Sequence, residues 1–530
     1  MKKATKRILS LMLAVVMIAL FAACDSGYSS MDYDRDPPPT FERPTLPSFD
    51  PPGLNDDPVS GEDPVTPDVP VDTNTLTASD LSYVMIYNPK IYDENQRYDS
   101  SKLKTGDISS QIVIDSYRGD GLQEESEFIS ISQKDLLDAF PFDEIQIEDN
   151  KATFFPTTYY VGNVRSFYCH NMSNINNRSA MDLTCVYAGE HCYVWSSGTV
   201  PSNMAVEYGQ EFDNRIFNFN TDTFGTARFT TNGGKVHLLF YPMEVNGLLG
   251  LSAFNDKYAD GEVTANDIST YKLNTNHAIV HINARYAAVP QNKTAMFGTL
   301  SHEFQHTIFY GHAFNTPNFT ISRSWITEAF SGYSEETLYP GTKEFIQHYD
   351  AFTYSDSIRN GQSLYNFDTS SDIGPYGSVY YFSEYLADIA GSDVFSNITE
   401  YWSNSYSYTL SEAEAIYNAM PSHVLNNIDS AIAYPSNINF NSNHEAWLSK
   451  LVLDFHLSTL SNKDNVKNFD HITPQALLYD ALDDAEIEGG GRIIVTAKSN
   501  SFEIPSDADS GLVYVGLDKN FNVVTDFVCK

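Results

Sequence analysis

The sequence predicts an α+β fold, with a mixed sheet and long helices in the middle of the chain and β-rich segments on either side. Three observations predict it. Residues 75–202 carry short runs of β-branched and aromatic residues separated by turn residues, among them Ser82-Tyr83-Val84-Met85-Ile86-Tyr87 and Ala152-Thr153-Phe154-Phe155, which is the pattern of strands. Residues 203–470 mix two apolar strands, at 236–241 and 278–283, with apolar stretches too long for strands. Those stretches read as helices: one from Pro290 through Met296, Leu300 and Phe304 to about Phe309, then 325–338, 376–389 and 445–459. From about residue 490 the strand pattern returns, in Ile493-Ile494-Val495 and Leu512-Val513-Tyr514-Val515. A chain of 530 residues is longer than one ordinary core supports. The expected division is a β-rich domain at 75–202, a helix-and-sheet domain at 203–470 and a C-terminal β-rich segment at 471–530.

The first residues read as a targeting segment. Lys2, Lys3, Lys6 and Arg7 precede an apolar stretch from Ile8 to Phe21, the length of a secretory h-region and short for a membrane span. Phe21-Ala22-Ala23-Cys24 follows. This resembles a bacterial lipoprotein cleavage site, with Phe21 where Leu is usual. The resemblance implies removal of residues 1–23, lipidation of Cys24, and export to a bacterial membrane on its periplasmic or cell-surface face. Residues 24–74 follow as a stalk. Eleven of the 24 prolines fall between Pro37 and Pro70, interleaved with Asp and Glu. Few apolar groups there can offset ordering entropy, and proline keeps the backbone extended.

Charge excludes one class of partner. Asp and Glu number 69 against 32 Lys and Arg, a formal charge of -37. Nucleic-acid binding needs clustered Lys and Arg, so nucleic acid is not expected; the surplus serves solubility. Besides Cys24 there are four cysteines, Cys169, Cys185, Cys192 and Cys529. An even count in an exported chain permits two disulfides in three connectivities. Cys185 and Cys192 flank a turn-like Tyr187-Ala188-Gly189-Glu190 and are expected to clamp a hairpin, with free buried thiols as the alternative. No pair has the CxxC spacing of a structural zinc site.

The chemistry concentrates in Thr299-Leu300-Ser301-His302-Glu303-Phe304-Gln305-His306. Residues four apart share a helix face, so His302 and His306 can hold one zinc ion. Glu303 stands one step round the helix, within reach of a water at the metal as general base. Downstream lies Trp325-Ile326-Thr327-Glu328-Ala329-Phe330-Ser331-Gly332-Tyr333-Ser334-Glu335. Here the chain resembles the gluzincin metallopeptidases, whose second zinc helix often reads W-x-x-E-G-x-x-x-x-x-E. The resemblance makes Glu328 the third zinc ligand and implies a zincin-like domain; Ala329 replaces the usual Gly. The wording of the first motif is closer to the hyicolysin family of bacterial secreted metallopeptidases. That resemblance covers roughly residues 180–390, including Gly189-Glu190-His191, Phe224-Gly225 and Tyr376-Gly377.

His312 competes as third ligand, ten residues after His302. That spacing serves a metal only when Gly stands three residues after the second His and turns the chain off the helix. Phe309 stands there instead. Glu335 shares a helix face with Glu328 and can support a zinc-binding His; a solvated acidic pair with Glu336 is the plain alternative. Tyr376 and Tyr380 are candidate donors to a developing oxyanion, or core residues. The gluzincin resemblance implies that the strand at 278–283, with His281, lies along the cleft and pairs with extended peptide; an ordinary buried strand is the alternative. Asp256, Asp260 and Asp267, with Gly261, lack the full calcium-loop pattern and read as a solvated loop. The expected function is an extracytoplasmic, zinc-dependent peptidase with one zinc per chain, acting on protein or peptide, and more an endopeptidase than an exopeptidase. The rival is an inactive surface-binding or adhesive lipoprotein with a vestigial zinc site.

Overall fold

Alternation along the strands decides which layer each residue meets. In the computed structural model the described residues are 75–91, 100–103, 158–170, 178–228, 234–244, 248–253, 263–265, 268–271, 277–313, 324–341, 374–404, 412–432, 440–461 and 485–529, with single positions between them. All lie in one unit, Pro70–Lys530. The expected leader, Cys24, the stalk and the run 152–155 lie outside the described residues. The strands used below are β1 (Tyr83–Tyr87), β2 (Val164–Cys169), β3 (Ser179–Ala188), β4 (Cys192–Ser196), β5 (Val236–Tyr241), β6 (Gly250–Leu251), β7 (Ile279–Asn283), β8 (Arg492–Thr496), β9 (Val513–Leu517) and β10 (Val528–Cys529). The helices are α1 (Ser202–Glu211), running through a π-helical turn (Phe212–Ile216) into α2 (Phe217–Phe224), then α3 (Lys293–Ala313), α4 (Ser324–Leu338), α5 (Gly374–Ala390), α6 (Asp393–Asn404), α7 (Glu412–Ala419), α8 (Ser422–Ala431) and α9 (Asn443–Ser461).

A six-stranded mixed sheet has the order β2-β3-β4-β5-β7-β6. β4, β5 and β7 run parallel, and β6 closes one edge antiparallel to β7. Every residue of β4, β5 and β7 is buried, as strands covered on both faces must be. Val194, Leu238, Phe240, Val280 and Ile282 face one core together with Leu300, Phe304 and Ile308 of α3. Leu183, Trp195, Leu239, Tyr241 and Ile279 face a second, separate core. A four-stranded antiparallel sheet has the order β8-β1-β9-β10.

These pairings cross both expected domain boundaries. β4, from the expected N-terminal domain, pairs with β5, from the middle one. β1 lies between β8 and β9 of the expected C-terminal segment. The physical reason is that β1, with four of its five residues buried, needs hydrogen-bond partners on both edges, and neighbours in sequence do not supply them. Helix α9 ties this sheet to the helices. Glu445 accepts from Ile91 N at 3.2 Å and Asn441 N at 2.8 Å, while Ser442 Oγ caps Glu445 N at 3.0 Å. Tyr87 donates to Ser449 O at 2.9 Å and Tyr385 to Asp454 at 2.6 Å. Among the described residues no helix is long and apolar enough to cross a membrane.

His456 of α9 is buried between Gly490 O, 2.9 Å from Nε2, and Arg492 Nε, which donates to Nδ1 at 3.2 Å. Burial, and after it the Arg492 charge, push this imidazole down to about 3, against the Gly490 carbonyl, which raises it. The fold therefore keeps His456 neutral, while the unfolded chain takes a proton as pH falls through about 6.5. Its contribution is complete above that pH and is lost as pH falls below it. At pH 5 the loss is about 2 kcal/mol. Melting curves at pH 7 and pH 5 should show the parent midpoint falling. It should fall less in His456→Gln, whose amide can keep both hydrogen bonds without titrating. Equal falls in the two proteins would remove His456 as the cause.

Candidate metal centre

Two helices bring the site together, and a small polar ring sets their register. Asn220 Nδ2 of α2 donates to Ser301 Oγ of α3 at 2.8 Å; Ser301 Oγ lies 2.7 Å from Ser334 Oγ of α4; Ser334 Oγ donates back to Asn220 Oδ1 at 2.9 Å. All three are fully buried, and each hydroxyl both accepts and donates. Ser301 and Ser334 immediately precede His302 and Glu335, so the ring places those two side chains opposite one another. Helix α2 stops where it must for this contact: Gly225 takes φ 103°, a left-handed conformation open to glycine.

His302, His306 and Glu328 converge. One nitrogen of each imidazole and one carboxylate oxygen all lie within 4.8 Å of one another, and all three residues are buried. His302 Nε2 is 3.3 Å from Glu328 Oε2, and His306 Nε2 is 3.6 Å from Glu328 Oε1. Metal–ligand bonds of about 2.0–2.1 Å in a tetrahedron put ligand atoms about 3.3–3.4 Å apart; each histidine stands near that distance from its own oxygen of Glu328. The outer nitrogens are occupied. His302 Nδ1 lies 3.2 Å from Glu335 Oε2, and His306 Nδ1 lies 2.8 Å from Thr327 Oγ1. A carboxylate only accepts, so the His302–Glu335 bond places the proton on Nδ1 and leaves Nε2 as a lone pair aimed inward. Burial pushes the Glu328 carboxyl up, but the two imidazoles outweigh it and hold it at about 2. The donor set is one ionised carboxylate and two imidazoles, which fits a divalent cation.

Glu303 is buried beside His302, its Cγ close to the edge strand β6 at Gly250. Glu335 is buried in contact with His302 and is no part of a solvated pair. Its neighbour Glu336 accepts from Gly341 N at 2.7 Å. Burial, then the charges of Glu335 and Glu384, push the Glu336 carboxyl up to about 7. Tyr376 is buried on α5. Tyr380 is engaged elsewhere: its hydroxyl donates to Glu384 at 2.9 Å and its ring stacks on Phe345. Thr327 and Tyr310 were not expected from the sequence. Tyr310 stacks on His306 with centroids 5.9 Å apart. Its signal was present, since 302, 306 and 310 continue one four-residue spacing. His312 faces away from the group: Nε2 lies 2.8 Å from Thr226 O, and α3 continues to Ala313 without a turn that could bring it back.

With this geometry in place, comparison with known proteins bears on the chemistry. The chain is similar to a bacterial metalloprotease. It is 27% identical over 275 residues to the neutral metalloprotease ShpI of Staphylococcus hyicus, matching 50% of this chain and 59% of that one. The chain thus spans less than two thirds of that relative's length. No protein-family model matches. The similarity supports a metallopeptidase relationship, and the His302–His306–Glu328 group is the feature of the fold that suits it.

Three expectations need correction. The strand expected to meet peptide, 278–283, is interior: β7 pairs with β5 along Ile279–Asn283 and with β6 at His281 and Ile282. The edge of the sheet belongs to β6, because that short strand inserts between β7 and the cleft. Asp256 is no solvated loop residue. It is fully buried, with Oδ1 2.7 Å from Arg178 Nη1 and Oδ2 2.8 Å from His281 Nε2, and His281 Nδ1 meets Tyr241 OH at 2.9 Å. Asp260 and Asp267 lie outside the described residues. Cys185 and Cys192 are free thiols and buried, as is Cys169; Cys529 is buried as well. The register between β3 and β4 shifts between Cys185 and Tyr187. Cys185 pairs with Trp195, three residues along β4 from Cys192, so alternation puts Cys185 in one core and Cys192 in the other, on opposite faces of the sheet.

The metal arrangement is testable directly. Metal analysis of protein purified without chelator should find about one divalent ion per chain. Glu328→Ala should abolish most of this binding, and His312→Ala should leave it intact. Metal lost from His312→Ala but kept by Glu328→Ala would assign the third ligand to His312.

Proposed function

We propose that the protein is an extracytoplasmic, zinc-dependent peptidase of the gluzincin type, similar to the hyicolysin family, and that it is tethered through Cys24. The observation that carries the reading is the buried His302–His306–Glu328 group with Glu303 beside it. The relationship to a neutral metalloprotease supports it. His302, His306 and Glu328 hold the zinc, which when bound supplies Lewis acidity and lowers the pKa of a water towards about 7. Glu335 and Thr327 fix the ring orientations and the tautomers of the two histidines. Glu303 accepts the proton of the attacking water and returns it to the leaving amine. Burial keeps water away from these groups and strengthens their interactions. An extended substrate adds to the edge of the sheet at β6, with backbone hydrogen bonds holding its scissile bond over the centre. Tyr376, and Tyr310 beside His306, are the phenols we assign as candidate donors to the developing oxyanion.

The test separates an enzyme from a binding protein. Glu303→Gln keeps the shape and removes the base. Hydrolysis of a quenched peptide pool should fall by about 10²- to 10⁴-fold, with zinc content and melting temperature near those of the parent. Equal cleavage by the two proteins would exclude Glu303 as the base. Zinc binding by both without cleavage of any substrate would favour the inactive surface-binding lipoprotein. For the tether, Cys24→Ser should move the protein from the detergent phase to the aqueous phase in a partition experiment; retention in the detergent phase would count against a lipid anchor.

A further inference from the structure

We propose that Thr307 is a positioning residue for the substrate: its hydroxyl fastens the edge strand β6 to the helix that carries His302 and His306, and so sets the register in which a bound peptide meets the metal. The inference rests on the reading above, in which an extended substrate adds to β6. Strand and helix lie side by side. A Cβ at Gly250 would stand 3.0 Å from both Thr299 Cγ2 and Glu303 Cγ, so the bare backbone of the strand abuts one face of α3. Two residues on, Ser252 Oγ lies 2.6 Å from Thr307 Oγ1, on the next turn of the same helix face. Two strand residues advance about 6.7 Å and four helix residues about 6 Å, so the two elements stay in step. Both hydroxyl-bearing residues are buried.

The direction of each hydrogen bond follows from the partners. Thr307 Oγ1 stands 3.1 Å from Ile279 O of β7 and 3.1 Å from Glu303 O, one turn earlier on α3. Both are carbonyl oxygens, which only accept, so the single Thr307 proton is shared between them. Ser252 therefore donates its own proton to Thr307 Oγ1. Ala278 O serves β5, accepting from His237 N at 2.9 Å, so the next carbonyl, that of Ile279, points to the β6 edge. Ile279 lies two residues before His281, which pairs with Leu251, the last residue of β6. The Thr307 hydroxyl thus meets β7 just where the ladder to β6 has ended. The bonds before Gly250, from Asn283 N to Leu249 O and from Asn283 Nδ2 to Leu248 O, both 2.8 Å, tie the strand to β7. The bond from Ser252 ties it to α3. One hydroxyl therefore joins β6, β7 and α3. Its loss lets the strand shift against the helix, while His302 and His306 keep their partners Glu335 and Thr327 on α4.

Misplacement of a substrate by about 1 Å can cost about a hundredfold in rate. The test is a double-mutant cycle on the full, zinc-loaded chain with an extended peptide substrate, using Thr307→Val, Ser252→Ala, both together, and Thr307→Ser. Thr307→Val and Ser252→Ala should each lower kcat about tenfold or more, with zinc content unchanged. Acetohydroxamate, a metal ligand too small to pair with β6, should inhibit both with a constant within about twofold of the parent's. The double variant should lose no more than the larger single loss, because both changes remove one bond. Thr307→Ser keeps the hydroxyl and should stay within about threefold of the parent. Parent-like kcat in both single variants overturns the proposal. So do losses that multiply in the double variant, and so does weakened acetohydroxamate binding, which would move the effect to the metal ligands. Absence of hydrolysis in the parent would instead be a failure of the peptidase reading. Crystal structures of parent and Ser252→Ala then decide the fastening: β6 displaced against α3 supports it, and an unmoved β6 overturns it. Should Thr307→Val fail to fold, Ser252→Ala carries the same test, since it leaves Thr307 and its bond to Ile279 O in place.

Discussion

The ring of Asn220, Ser301 and Ser334 is the constraint on which the metal-binding group depends. Apolar burial is non-directional, so two helices packed by apolar side chains alone can satisfy it in more than one register. Three buried hydrogen bonds in a closed ring are not indifferent. Each broken bond leaves a buried polar group unsatisfied, at about 1–3 kcal/mol. The ring therefore gives α3 and α4 one register in place of several. That register puts His302 across from Glu335 and His306 across from Thr327, with Glu328 between the two imidazoles. Small side chains suit it: the two serines meet hydroxyl to hydroxyl at 2.7 Å between the helices.

A second constraint works from the opposite face of the sheet. β6 is two residues long, too short to hold its own place by ladder bonds. It is held instead by side chains. Asn283 reaches back to Leu248, Thr307 joins Ser252 to the strand below, and Asp256 anchors the chain just beyond. Burial raises the Asp256 carboxyl, but Arg178 and then His281 hold it far below the usual carboxylate range. Buried charges of this kind add little net stability over apolar packing, yet removing one partner is costly. Their effect is positional: they tie Asp256, five residues beyond β6, to His281 of β7 and to Arg178.

The long elements were legible because their signals are local. The helix read from Pro290 runs in the structure as Lys293–Ala313, and the stretch read at 325–338 as Ser324–Leu338. The spacing of His302, Glu303 and His306 needed nothing beyond helical periodicity. The paired helices around residues 393–431 and the helix over 202–224 were not read. Their apolar positions are interrupted by Asn, Ser and Thr, which are weak helix formers and here find partners in tertiary structure. The interior position of β7, the burial of Asp256 and the divergence of Cys185 from Cys192 were illegible for a related reason. Each depends on which strand lies next to which, and a one-residue slip in register exchanges the two faces of a strand. The sequence also holds Gly250 in plain view, but only the approach of α3 shows why a side chain there would matter.

The competition between His312 and Glu328 illustrates how these levels combine. On spacing alone both could complete the group. A ligand from the same helix must leave that helix to return to the metal, because residues ten apart stand about 15 Å along the axis. The chain does not leave: α3 continues to Ala313, Phe309 fills the core where a turn would begin, and His312 meets Thr226 O beside Gly225. A ligand from a second helix needs only the right register. The polar ring provides that register, and it draws on α2 as well as α3 and α4. The position of Glu328, the proposed third ligand, thus depends on an asparagine more than a hundred residues upstream of it. A local motif can name two ligands on one helix, whereas the third belongs to the packing of three.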